Sequence, residues 1–197
     1  MLNAYIYEGL RTPFGRYAGS LAKVRPDDLM ASAIRSDDPV LFFEHKALFA
    51  TKGEPAPEGH VVPFGQANVV RAGSDISLVG LAWSMPVIVE AAEQLASLGI
   101  SAEVIDLRTL VPLDVATVLA SVAKTSRILI VEENPFQGGW GGTLASIVAD
   151  EGFYDLDAPV KRLAAASVPL PFATHLEDEV LPSVTKAVAI AVAMVND

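Results

Sequence analysis

Between residues 75 and 133 the chain alternates three short apolar runs with two longer amphipathic ones. The short runs cover residues 75–82, 102–108 and 127–133. Each is nearly continuous in apolar character and bounded by turn residues, the pattern of strands buried on both faces of a parallel sheet. The longer runs place apolar residues at helical spacing: Val87, Ile88, Ala91, Leu95 and Leu98 in the first, Val115, Val118, Leu119 and Val122 in the second. Ser84 is the expected N-cap of the first, with Pro86 in its opening turn and Gly99 as its stop. Asp114 is the expected cap of the second, and Lys124 suits its last turn. Strands joined by helical crossovers run parallel with right-handed connections. The order predicts an α/β class protein, with three α/β/α layers around a mainly parallel central sheet.

The flanks read less cleanly. Residues 3–8 have the pattern of a short strand, and 11–16 form a loop by their Pro and Gly. Residues 27–33 predict one or two helical turns after Pro26. Residues 37–46 predict a strand ending in a charged turn, and 52–62 a loop or linker rich in Gly and Pro. Residues 69–75 lead into the first core strand. A third helix is expected from near Gly141 through Leu144, Ile147 and Val148 to Gly152, then a short strand over 160–163 and an extended stretch over 168–172. A last helix over 182–195 follows the acidic Glu177-Asp178-Glu179. Its apolar residues run nearly all the way round, so it calls for burial on more than one side, as at a subunit interface.

Composition narrows the function classes. The 197 residues are 51% hydrophobic and 19% charged, enough for one domain with a real core or one domain plus an appendage. A net charge of −10 disfavours phosphate backbones and suits a basic protein partner. Residues 1–34 carry about +1 and the rest −11, a shift that marks a boundary. With no cysteine, disulfides, thiolate zinc sites and cysteine nucleophiles are excluded. The opening residues lack a signal-peptide pattern, and the longest uninterrupted apolar stretch, nine residues from Ala187 to Val195, is too short to span a bilayer. The expectation is a cytoplasmic protein without a membrane or nucleic-acid partner.

Three groups of residues have candidate chemistry. The turn Gly138-Gly139-Trp140-Gly141-Gly142-Thr143 lies between a strand and a helix start. Its amides suit either a structural turn or an anion site. It follows the third strand, whereas a dinucleotide fingerprint belongs after the first. Glu132 and Glu133 end a strand at the sheet's carboxyl edge, as an acid–base pair or as structural groups. His45, His60 and His175 lie far apart in sequence, and Glu44-His45-Lys46 reads as a tether for the end of its strand.

Two resemblances follow. Ala4-Tyr5-Ile6-Tyr7, Arg11-Thr12-Pro13-Phe14-Gly15, Gly19-Ser20-Leu21-Ala22 and Val24-Arg25-Pro26-Asp27-Asp28-Leu29 resemble the amino terminus of thiolases. That likeness covers roughly residues 3–31 and includes no catalytic residue. The family's cysteines are absent, and Gly59-His60 is followed by Val61 where the family has proline. From near residue 33 onward the chain resembles the carboxy-terminal domain of the beta subunit of thiamine-diphosphate-dependent 2-oxo acid dehydrogenases, a domain that also ends transketolase-like enzymes. Asp38-Pro39-Val40 with Phe43-Glu44-His45-Lys46, Val70 to Ile76, Glu103 to Asp114, Val131-Glu132-Glu133 with Gly138-Gly139, Asp157-Ala158-Pro159-Val160 and Val168-Pro169-Leu170-Pro171 carry the match.

This second resemblance implies two segments, a thiolase-like fragment over 1–34 and a transketolase C-terminal-like domain over 35–197. It implies a parent enzyme that uses thiamine diphosphate and magnesium to decarboxylate a pyruvate-, acetoin- or branched-chain-type substrate. It implies no cofactor in this chain: the pyrimidine-binding half is replaced by the leader, and there is no Gly-Asp-Gly motif for the diphosphate. The implied role is a non-catalytic assembly domain that forms a homodimer contact, meets an alpha subunit and docks the acyltransferase core. In pyruvate dehydrogenase relatives the aspartate of the Leu-Asp-Ala-Pro motif and the terminal carboxylate grip the core's basic subunit-binding domain. The matching positions are Asp157 and Asp197. Read on its own, Asp157 caps the turn before Pro159. The alternative roles are a thiolase-type acyl-CoA acetyltransferase fragment and a small-ligand domain built on the Gly138–Thr143 turn.

Overall fold

The computed structural model describes residues 26–49, 51 and 60–196. The thiolase-like stretch up to Arg25, and Asp197, lie outside the described residues. The three apolar runs form β2 (Ile76–Gly80), β3 (Ala102–Asp106) and β4 (Ile128–Pro135). They are flanked by β1 (Asn68–Arg71) and β5 (Lys161–Ala165) in one sheet of order β1-β3-β2-β4-β5. All pairings are parallel except β1–β3, which is antiparallel.

The strand alternation sorts side chains between two cores. Ile76, Leu78, Ala102, Val104, Leu129, Val131 and Leu163 face one side, covered by α2 (Ser84–Ser97) and α6 (Val184–Asn196). Val79, Ile105, Leu107, Ile128 and Ile130 face the other, covered by α3 (Val115–Thr125) and α4 (Trp140–Glu151). Both faces are buried, so the central strands read as continuous apolar runs. One polar seam crosses the second core. Ser77 Oγ lies 2.5 Å from Ser121 Oγ and 2.7 Å from Thr125 Oγ1, while buried Glu103 pairs with Lys124.

Asp114 caps α3 as expected. Its carboxylate accepts from Thr117 N at 3.1 Å and Thr117 Oγ1 at 2.7 Å, and from Ala67 N at 2.8 Å, tying the β1 approach to the helix. Burial opposes ionisation of Asp114, but the Thr117 hydroxyl and the two amides outweigh it and hold the carboxyl below the usual range. Asp114→Ala is expected to cost about 1–2 kcal/mol. Urea unfolding would show it as a lower midpoint at unchanged slope, and an unchanged midpoint would contradict the cap.

Five local expectations are corrected. The strand expected over 37–46 is absent: residues 39–45 have no regular secondary structure and lead into a single 3₁₀ turn, Lys46–Leu48. Strand formation depends on a partner edge, and no described strand pairs with these residues. Ser84 is the first residue of α2 rather than its cap, and its hydroxyl both accepts from Leu81 N and donates to Leu81 O. The acidic run expected merely to precede the last helix lies in a helix of its own, α5 (Thr174–Val180). The approach over 69–75 contains β1, whose register shifts between Val69 and Arg71. The helix after Pro26, α1 (Pro26–Arg35), is longer than expected.

Candidate functional site

Ligands of open parallel sheets bind outside the carboxyl ends of strands where the chain order reverses. Here that point lies between β2 and β4, since β2 feeds α2 on one face and β4 feeds α4 on the other. His45 sits there. Its Nε2 is 2.9 Å from both carboxylate oxygens of Glu133, and its ring centre is 6.4 Å from that of Trp83, in the loop after β2. The expected tether by His45 is present, although it fixes a loop rather than a strand end.

Beside it, Glu132 is fully buried. Arg162 Nε donates to Glu132 Oε1 at 3.0 Å, and Arg162 Nη2 donates to the same oxygen. Gly141 N, in the first turn of α4, donates to Oε2 at 2.9 Å. Arg162 also donates to Phe136 O at 2.9 Å and lies 4.3 Å from the centre of the Phe136 ring. A Cβ at Gly141 would lie 2.5 Å from Glu132 Oε1, and one at Gly139 would come closer still to Oε2. The glycines of this turn therefore make room for the chain's own carboxylate. The helix N-terminus that could attract an anion already holds one. Glu132 and Glu133 thus have separate partners.

Asp106 closes β3 at the same edge and was not singled out by its sequence context. Burial pushes its carboxyl up to about 6, while the Arg108 amide, 3.2 Å away, and the Arg108 charge pull the other way. Between the unfolded value near 3.8 and the folded value of about 6, the folded protein keeps a proton that the unfolded chain has lost. Stability from this group thus falls as pH rises through that window and levels off above it. Asp106→Asn is expected to flatten the slope and to stabilise the protein at pH 8 by on the order of 2–3 kcal/mol. Chemical denaturation at pH 5 and pH 8 checks this, and a pH-independent effect would contradict it.

The histidines are not gathered: His60 and His175 are exposed, and among the described residues no three His, Cys, Asp or Glu side chains are placed to share a metal ion. The sequence has no Gly-Asp-Gly motif, and His45, Glu133 and Trp83 are the side chains that meet at the switch point.

The opposite, amino edge holds the remaining candidate. Asp157 N donates to Ser126 O at 2.9 Å, while its side chain is 66% exposed and lies 3.9 Å from Arg127 Nη1. Arg127 Nε donates to Met194 O at 2.8 Å. Asp157 and the end of α6 are thus joined through one arginine, three residues before Asp197. Next to them, Phe153 and Tyr154 stack edge to face with centres 5.3 Å apart, and Tyr154 is 97% exposed. This aromatic pair was missed in the sequence, where nothing separates an exposed Phe-Tyr from a buried one.

Residues 65–186 match the transketolase C-terminal domain. Acetoin:2,6-dichlorophenolindophenol oxidoreductase subunit beta of Bacillus subtilis is 38% identical over 169 residues, 86% of this chain and 49% of that protein. Pyruvate dehydrogenase E1 component subunit beta of Rickettsia felis is 44% identical over 155 residues, 79% of this chain and 48% of that protein. Bacillus subtilis 2-oxoisovalerate dehydrogenase subunit beta is 40% identical over 151 residues, 76% of this chain and 46% of that protein. The chain spans about half the length of these curated relatives. Among solved structures, a split-gene transketolase described as an inactive beta4 tetramer superposes with a TM-score of 0.61 at 24% identity, covering 74% of this chain and 47% of that one, which supports the fold. The chain belongs to the transketolase C-terminal domain family, as the domain of that kind found in the beta subunits of 2-oxo acid and acetoin dehydrogenases.

Proposed function

We propose that this chain is a non-catalytic assembly domain of a pyruvate-, acetoin- or branched-chain-type dehydrogenase beta subunit. It docks the acyltransferase core of such a complex through the amino edge of its sheet, pairs with a second copy, and meets an alpha subunit. The observation that carries this reading is the exposed Asp157 carboxylate, joined through Arg127 to the end of α6 and set beside the exposed Phe153–Tyr154 pair. A desolvated aromatic anchor next to a charge is the make-up of an interface hot spot. The net charge of −10 favours encounter with a basic partner. The chemistry of the parent enzyme would be supplied by thiamine diphosphate bound elsewhere in the complex.

Calorimetric titration with a basic subunit-binding domain from an acyltransferase tests the docking. Binding is expected, weakening as salt rises, and Asp157→Ala should weaken it by about tenfold or more. Equal affinity for both forms, or no binding at low salt, would sink this reading. Sizing by sedimentation tests the pairing, for which a monomer at all accessible concentrations is the adverse result. Decarboxylation of a 2-oxo acid by the purified chain would contradict the non-catalytic assignment.

A further inference from the structure

We propose that two copies of this chain associate by strand addition, with residues 39–44 of one copy lying in the groove between β5 and α6 of the other. The inference rests on the self-association reading above and assigns its surfaces.

The groove is one half of the argument. β5 is hydrogen-bonded to β4 on one side and to no strand on the other among the described residues. Alongside it runs a groove of about 390 Å³ lined by Lys161 and Arg162 of β5 and by Ile190, Ala193 and Met194 of α6. A free strand edge facing an apolar helix is the geometry in which an extended peptide adds a strand: main-chain hydrogen bonds hold it, and alternate side chains meet the helix. Lys161 is exposed and has no ion-pair partner among the described residues, which leaves a free cation at the groove's end.

The occupant is the other half. Residues 39–44, Pro-Val-Leu-Phe-Phe-Glu, have strand-forming composition. They lack secondary structure, and no backbone hydrogen bond joins them to another segment among the described residues. Leu41 and Phe43, two apart and so on one side of an extended chain, are 86% and 85% exposed. The His45–Glu133 contact anchors one end of the segment at the carboxyl edge of β4. Six extended residues span roughly 20 Å, against roughly 17 Å for the five of β5. Pro39 sits at the segment's first position, where a missing N–H is tolerated. Asp37, Asp38 and Glu44 flank the apolar residues with negative charge, complementary to Lys161.

Sedimentation of the full chain over a range of concentrations tests this. The wild type is expected to self-associate. Phe43→Asp and Leu41→Asp change exposed residues and should leave the circular dichroism spectrum intact while raising the dissociation constant about tenfold or more. Lys161→Glu should act in the same direction from the groove side, and a synthetic peptide of residues 37–45 should compete. A wild-type dimer indifferent to Phe43→Asp, Lys161→Glu and the peptide would overturn the strand-addition assignment and spare the pairing. A chain that stays monomeric would overturn both.

Discussion

Arg162→Met is expected to lower stability by about 3–5 kcal/mol, because it strands a fully buried carboxylate. Arg162 gives Glu132 two N–H donors, and among the described residues the only other donor to that carboxylate is the Gly141 amide. Removing the cation alone leaves a charge that was taken out of water without its compensation. The expected behaviour of the pair is strongly non-additive. Glu132→Gln combined with Arg162→Met removes both charges and keeps an acceptor for Gly141 N, so the double variant should recover most of the loss. Urea unfolding of the two singles and the double resolves the coupling. Additive costs, or a single-variant cost below about 1 kcal/mol, would mean that the pair behaves like a surface salt bridge.

Gly73→Ala is expected to be the second costly change, at about 3 kcal/mol or more, for a different reason. A Cβ at Gly73 would lie 2.5 Å from Ala102 O and closer still to Ala102 C and Glu103 N. These are backbone atoms of β3 and cannot step aside as a side chain can. The turn around Gly73 is laced to the start of β3. Ser74 N and Asp75 N donate to Ser101 O at 3.0 and 2.9 Å, and Ser101 N donates to Asp75 Oδ2 at 2.7 Å. A methyl group that parts the two segments loosens all three bonds. Gly99→Ala is the control. Gly99 has φ +81° with nothing within 4 Å of a Cβ, so only the left-handed backbone penalty of about 1–2 kcal/mol applies. Equal thermal shifts in the two variants would show that the close approach at Gly73 relaxes.

The central sheet was legible because both of its faces are covered. Residues 76–80, 102–106 and 128–131 are buried throughout, so their apolar runs needed no knowledge of partners. The second crossover helix was legible because its cap is a local interaction: Asp114 and Thr117 are three residues apart. Residues 39–44 misled because their composition favours a strand, whereas strand pairing is a long-range event. Helix α5 was missed because its seven residues include no buried one, so no apolar stripe announces it. The acidic pair Glu132-Glu133 and the glycine turn were both noticed, but as separate candidates. Their relation appears only when β4, α4 and β5 are assembled and Arg162, thirty residues away, closes on Glu132. Asp157 was found through resemblance to a family, while the exposed aromatic pair beside it had no signal in the sequence.

Hydrogen-exchange mapping of the chain, free and saturated with an acyltransferase subunit-binding domain, tests the docking claim most directly. The account predicts new protection over residues 153–157 and the last turn of α6, with the carboxyl-edge residues 132–142 unchanged. Protection centred on the carboxyl edge, or no change anywhere at saturating partner, would contradict it.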